Sequence, residues 1–493
     1  MSFILGIDIG TSGAKAVAYS KDGKIIAHAN SSYAVLPEEE GKHELDPEIL
    51  FSAVLDVIKG TLKNTGAEKP MAISFSSAMH GLIAVDRSGK PITNMITWAD
   101  LRSSKYATQL NYSPQAEIIY GRTGTPIHPM SPLCKIIWLR NELPEIFSAA
   151  YKFISIKELI FYRFFGEYII DYSIASATGL LDIYELNWNK TALDAAGIEA
   201  EKLSRPVPST YIIKELKPEY ASQTGIEAGT PFVIGASDGC LAHIGSNAIK
   251  PNDVSLTIGT SGAVRLMSHR PFKDIKKRIF NYILDEGLYI SGGPTNNGGN
   301  ILQWFAANFL RTPFKEPGDF DEFINEALEI SAGAGGIIFL PYIFGERAPV
   351  WNAEAEGLFY GINSTHTVNH FMRALMEGIA FGLYEILNIL EEINGPVNDI
   401  YVSGGFIKSR KWVSLLADVF GRKMHLTNAE DSSAAGAAMI GLKALGVIKD
   451  YSEAASFFTL KETFDPNMQN HEACKKNFNI YVKLYKQLKD IKK

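Results

Sequence analysis

Residues 8–15 read DIGTSGAK and residues 257–264 read TIGTSGAV, so the six residues IGTSGA recur about half a chain apart. Small residues in a strand–turn–strand let a ligand's oxygens approach backbone N–H groups closely. Threonine and serine hydroxyls add further donors, and two such hairpins facing each other would grip a polyphosphate. A single GTSG is a common tight turn; the repetition is what carries information. The copies differ in charge. Asp8 ends an apolar run, where a carboxylate is costly unless it is paired or binds a cation. Magnesium takes one or two carboxylates together with water and phosphate oxygens, which makes Asp8 a candidate Mg²⁺ anchor. Lys15 would neutralise phosphate or carboxylate charge nearby. The second copy has Thr257 and Val264 in those places and supplies only neutral donors. That asymmetry suits one nucleotide and one metal rather than two equivalent sites.

Other nucleotide and metal patterns are missing from the sequence. There is no GxxxxGK[ST] loop and no GxGxxG following a strand, which excludes the P-loop and dinucleotide-binding readings. HExxH and paired Cys-x-x-Cys are absent as well, so zinc-dependent hydrolysis has no support. A further acid stands in GASDG at 235–239, where Asp238 by itself reads as an ordinary Ser-Asp-Gly turn.

The elements that must hold these residues follow from their spacing. SFILGIDI is a strand, GTSG a turn and AKAVAYS a second strand; KDGK then turns the chain into IIAHANSSY. DVSLTI, GTSG and AVRLMS repeat the arrangement in the second half. Helical spacing follows both meanders, in PEILFSAVLDVIKGTLK and in NILQWFAANFLR. This is an internal repeat at half-chain scale, with a boundary expected around residues 245–252, giving domains 1–248 and 249–493. Further on, Phe371, Leu375, Ile379, Leu383, Leu387 and Leu390 form one helical stripe, and DIYVSGG is a strand ending in a glycine turn. HEACKKNFNIYVKLYKQLKDIKK reads as a surface helix whose lysines are a solvated face.

Bulk properties set limits. A chain of 493 residues exceeds one ordinary core. Its composition, 46% hydrophobic and 21% charged, is that of a soluble globular protein. A net charge of −6 offers no overall attraction to nucleic acid or to an anionic membrane, so neither is an expected partner. The three cysteines, Cys134, Cys240 and Cys474, are odd in number and far apart, as in a cytoplasmic protein with reduced thiols. MSFILGIDIG has no basic leader, and no stretch reaches the ~18 uncharged apolar residues of a membrane span.

Taken together, DIGTSGAK, AMHG at 78–81, WADLR at 98–102 and the repeated IGTSG resemble the FGGY family of carbohydrate kinases. MSPLCKIIWLRNE is similar to the first signature of that family. GLFYGI followed by RALMEG is similar to the second, and VSGGFIKS to its adenosine-binding turn. The motifs run in family order from residue 8 to about 440. The resemblance implies an α/β fold of two actin-like (ribonuclease H-like) domains with a central interdomain cleft. It also implies ATP and Mg²⁺ as cofactors and direct transfer of the γ-phosphoryl group to a polyol hydroxyl. By the same resemblance Asp238 is the general base, and Thr11, Ser12, Lys15, Gly259 and Thr260 lie at the phosphates. Gly299, Gln303, Gly404, Gly405 and Ser409 lie along the nucleotide, although some relatives carry asparagine where Ser409 stands. Met79, His80, Asp100 and Arg102 line the sugar side, with Asp238.

Within the family, SSAMHGLIAVD, ITWADLRS, TGTPIHPMSPLCK and FGERAPVWNAEAEG are most similar to the gluconate kinases. Xylulose kinases read closer to QMHG and WND, so Ala78 and Ala99 are the discriminating departures. The resemblance thus implies phosphorylation of D-gluconate, with D-xylulose or another sugar as the alternative. A linear sugar acid needs hydroxyl-reading groups and a cation for its carboxylate; Arg102, His80, His128 and Arg122 are the candidates for the latter. A non-catalytic ATP-binding regulator would not need Asp8, Lys15 and Asp238 together. The oligomeric state is left open, a homodimer being the assembly considered.

Overall fold

Residues 2–36, 41–66, 68–429 and 431–488 are described by the structure, a computed structural model. The chain forms two compact units. One comprises residues 1–251, 267–291 and 429–459; the other comprises 252–266, 292–428 and 460–493.

The first unit is built on a six-stranded sheet whose spatial order is Ile212–Ile213, Phe232–Ser237, Pro70–Ser77, Phe3–Ile9, Gly13–Ser20, Ile25–Ser32. Phe3–Ile9 runs antiparallel to Gly13–Ser20 and parallel to Pro70–Ser77, which in turn is parallel to Phe232–Ser237. Successive side chains of a strand point to opposite faces. Phe3, Leu5, Ile7 and Ile9 accordingly pack in one core with Leu50, Val54, Val57 and Ile58 of the Pro47–Asn64 helix. Ile4 lies in a second core with Ala434, Ala437 and Ala438 of the Ser432–Ala444 helix. That helix comes unusually close: a Cβ on Gly6 would stand 2.3 Å from the Ala434 carbonyl oxygen. By the same alternation Asp8 falls on the face of Ile4 and Gly6.

Phe232–Ser237 would break this alternation without a correction. Val233 pairs with Ser74 and Ala236 with Ser76, so three steps on one strand oppose two on the other. This is a β-bulge, and it lies at Gly235, whose φ is +71°. Its effect is to put Val233 and Ala236 in the same core, on the face of the Ser432–Ala444 helix. The strand ends at Ser237, and Asp238 opens the helix that follows.

The second unit repeats the plan. Val254–Ile258 and Gly262–Ser268 form the antiparallel hairpin, Ile400–Ser403 and Met424–Thr427 add in parallel, and Leu460–Phe464 closes the edge antiparallel. Hairpin, two parallel strands and an antiparallel edge is the order of the first sheet too, so the half-chain repeat in the sequence is a repeat of topology. The chain has the two actin-like α/β domains that its motifs imply. The stripe at 371–390 lies on the Val368–Asn394 helix, with Leu375, Ile379, Leu383, Leu387 and Leu390 buried. The C-terminal helix runs Met468–Leu488, and the last lysines of the tail lie outside the described residues. Among the described residues no helix is long and apolar enough to cross a membrane.

Candidate functional site

Strand register gathers the first charged cluster. Asp8 pairs with Lys15 across the hairpin and with Ser76 on the parallel strand, so all three share one face. The Ser76 hydroxyl donates to Asp8 Oδ1 at 2.6 Å. Lys15 Nζ donates to Asp431, which stands at the N-terminus of the Ser432–Ala444 helix. Burial pushes the Asp8 carboxyl up to about 6; the carboxylates of Asp238 and Asp431 add to this, while Ser76 and Lys15 oppose it. A carboxylate in such surroundings is stabilised by an incoming cation. Chemically the cluster offers a buried carboxylate to a cation and an ammonium to an anion. Among the described residues no group of three or more His, Cys, Asp or Glu side chains is arranged to hold a metal by itself.

Asp238 opens the Asp238–Gly245 helix, with Ser237 as its N-cap. It is partly exposed, and its Oδ1 accepts from the Gly239 N–H at 2.7 Å. The Ser433 hydroxyl donates to the Asp238 carbonyl at 3.4 Å, which ties this helix to the one that carries Asp431. The two helices touch through glycine: a Cβ on Gly436 would meet the Leu241 carbonyl oxygen at 2.2 Å.

The WADLR segment reaches the first GTSG turn directly. Trp98 Nε1 donates to Thr11 Oγ1 at 3.2 Å, while Ser12 at the tip is exposed. Asp100 is buried, and its oxygens accept from the His43 N–H at 3.0 Å and from Arg102 Nε at 3.0 and 3.1 Å. Arg102 also pairs with Glu44 at 2.6 Å and lies over the Trp138 ring, 4.4 Å from its centroid. Burial works against the Arg102 charge, but Asp100 and Glu44 outweigh it and raise its pKa.

His80 is the most constrained residue of AMHG. It is buried at φ +69°, a backbone region that side chains other than glycine rarely adopt. Its Nδ1 lies 2.8 Å from the Ala177 carbonyl, which only accepts, so Nδ1 carries the proton and Nε2 faces the Tyr282 hydroxyl at 3.3 Å. The His80 carbonyl accepts from Lys135 Nζ at 2.6 Å. Burial pushes Lys135 down to about 7. Met79 is half-buried beside this turn. Two more residues could read a substrate carboxylate by their chemistry. Arg122 is paired with Asp182 at 2.6 Å and Glu185 at 3.1 Å. His128 is buried, and its Nδ1 accepts from the Met130 N–H at 3.2 Å.

In the second unit the exposed turn at Gly259 and Thr260 is bonded to the start of the Gly299–Phe305 helix. The Gly299 N–H donates to the Gly259 carbonyl at 2.8 Å, and the Gly298 and Asn300 N–H groups donate to the Thr260 carbonyl at 3.2 and 3.3 Å. Gln303 is exposed one turn along that helix. Gly404, at φ +103°, passes so close that a Cβ would stand 2.4 Å from the Ile258 carbonyl oxygen. Gly404 and Gly405 are exposed, and Ser409 begins the Arg410–Phe420 helix. The structure thus groups Asp8, Thr11, Lys15 and Asp238 in one unit, and Gly259, Thr260, Gly299 and Gly404 in the other. Ser76 and Asp431 join the first group with no signal of their own in the sequence. Only the register and a helix more than four hundred residues downstream bring them there.

Residues 3–245 match the N-terminal domain of the FGGY family of carbohydrate kinases, and residues 254–445 match its C-terminal domain. Gluconokinases of Bacillus licheniformis and Bacillus subtilis are 40% and 42% identical to the chain, covering 99% and 91% of it and 96% and 89% of their own length. A xylulose kinase of Staphylococcus epidermidis is 30% identical over 99% of the chain and 97% of its own length. Among solved structures, a gluconate kinase from Lactobacillus acidophilus superposes with a TM-score of 0.93 at 36% identity, covering 99% of this chain and 98% of that one. A ligand-bound xylulose kinase from the same organism gives 0.94 at 35% identity, covering 99% of both. With both domains matched over most of its length, and its repeated turns, strand-end acid and helix-opening Asp238 in the order the motifs require, the chain belongs to the FGGY family of carbohydrate kinases.

Proposed function

We propose that this carbohydrate kinase transfers the γ-phosphoryl group of ATP to D-gluconate, forming 6-phospho-D-gluconate in the cytoplasm. The observation that carries the choice of substrate is the identity gap. Gluconokinases reach 40–42%, whereas the two xylulose kinases compared stand at 30% and 35%. D-xylulose is the second reading, supported by the ligand-bound xylulose kinase with a TM-score of 0.94.

Asp238 accepts the proton of the substrate's O6 hydroxyl as that oxygen bonds to the γ-phosphorus. The bond from phosphorus to the β–γ bridging oxygen breaks, and the electron pair leaves with ADP. Thr11, Ser12 and Lys15, and in the second unit Gly259 and Thr260, take the phosphates through N–H, hydroxyl and ammonium donors. Gly299, Gln303, Gly404, Gly405 and Ser409 take the rest of the nucleotide. The residues present also fit magnesium: Asp8 supplies a carboxylate, and the nearby charges of Asp238 and Asp431 add the negative field a divalent ion offsets. When bound, magnesium would neutralise phosphate charge. Met79, His80, Asp100 and Arg102 line the polyol, with the His80 ring fixed in one tautomer.

A coupled ADP-release assay over gluconate, xylulose, ribulose, glycerol and fuculose tests the substrate. Gluconate is expected to give the highest kcat/KM of the five. Turnover of xylulose with none of gluconate would reverse the assignment.

A further inference from the structure

Beneath Asp238 lies an ion pair with no access to solvent. Lys157 Nζ and Asp171 Oδ2 are 2.6 Å apart, and their side chains are 2% and 0% exposed. Taking two charges out of water costs about as much as their attraction returns, and apolar residues of similar volume often serve stability as well. The pair's contacts give it a second role. Lys157 projects from the first turn of the Ile156–Phe165 helix, and its ammonium donates to the Ala236 carbonyl at 3.0 Å. Asp171 caps the Tyr172–Ser176 helix by accepting from the Ile174 N–H at 2.9 Å, which sets the position of Ser173. Ser173 Oγ then takes the Ser237 N–H at 3.1 Å and lies 2.9 Å from Ser237 Oγ.

The Ala236 carbonyl and the Ser237 N–H belong to one peptide unit. That unit follows the bulge at Gly235 directly and precedes Asp238. Its two polar ends are held from one corner of the fold, the carbonyl by Lys157 and the N–H by Ser173.

We infer that Lys157, Asp171 and Ser173 are positioning residues that fix the peptide before Asp238 and thereby aim its carboxylate at the substrate hydroxyl. This rests on the reading of Asp238 as the general base. Displacing a base by about 1 Å can cost on the order of 10²-fold in rate with little effect on binding. The brace touches none of the groups assigned to ATP or the sugar, so its loss should appear in kcat rather than KM.

The test is the double variant Lys157→Met/Asp171→Asn, which removes both charges and keeps an oxygen to cap Ile174. Its melting temperature, its KM for ATP and gluconate, and its kcat are measured beside wild type and Asp238→Asn. The expected result is a folded protein with both KM values within about threefold of wild type and kcat lower by about 10- to 100-fold. A folded double variant with wild-type kcat overturns the brace. Should the double variant fail to fold, Ser173→Ala decides. A fall in kcat of about 3- to 10-fold at unchanged KM supports the brace, and an unchanged kcat rejects it. If Asp238→Asn itself keeps the wild-type rate, the base assignment falls and the brace with it. If Asp238→Asn is inactive while the brace variants are fully active, only the brace is wrong.

Discussion

Asp238→Asn is expected to lower kcat for phosphoryl transfer by about 10²–10⁴-fold while ATP binding, read by titration calorimetry, is largely kept. Asparagine has the shape of aspartate and an oxygen that can still take the Gly239 N–H now received at 2.7 Å. The Ser237 cap and the Asp238–Gly245 helix are therefore retained. What disappears is the ability to hold the hydroxyl proton, so the loss falls on the chemical step. An unchanged kcat would remove Asp238 from the mechanism.

Gly235→Ala is expected to damage both stability and rate. A side chain at φ +71° is strained whatever surrounds it, and here the added Cβ would stand 1.8 Å from the backbone oxygen of Phe75. Backbone cannot yield as a flexible side chain does, so the strand must separate from Pro70–Ser77 or the bulge must collapse. A cost of about 2–4 kcal/mol is expected from strain and lost packing. Loss of the bulge also shifts the register of Ala236 and Ser237, the two strand residues that lead into Asp238. Calorimetry should show a lower melting temperature, and the protein that remains folded should show reduced kcat. An alanine variant as stable and as active as wild type would mean that the bulge does not aim Asp238.

These two residues show how far the sequence could be read. Alternation in FILGIDI places Phe3, Leu5, Ile7 and Ile9 in one core and leaves Asp8 on the other face, which follows from the period of a strand alone. The repeated IGTSGA marks two copies of one topology, and the structure has both. Asp238 is visible in GASDG only through its family context, since a bulge is set by pairing partners that a single strand does not reveal. Ser76 looks like any strand serine until its register places it opposite Asp8. Asp431 reaches Lys15 from far along the chain, and no local pattern announces such a contact. Lys157 and Asp171 lie in ordinary helix-start and strand-end settings; their meaning depends on a carbonyl contributed by a third element.

Whether this FGGY kinase phosphorylates gluconate is decided most directly by the product itself. ³¹P NMR of a reaction with ATP, Mg²⁺ and D-gluconate should show a phosphomonoester on O6 of the sugar acid, formed in step with ADP. No ester from gluconate, under conditions where the same preparation phosphorylates D-xylulose, would overturn the gluconate assignment.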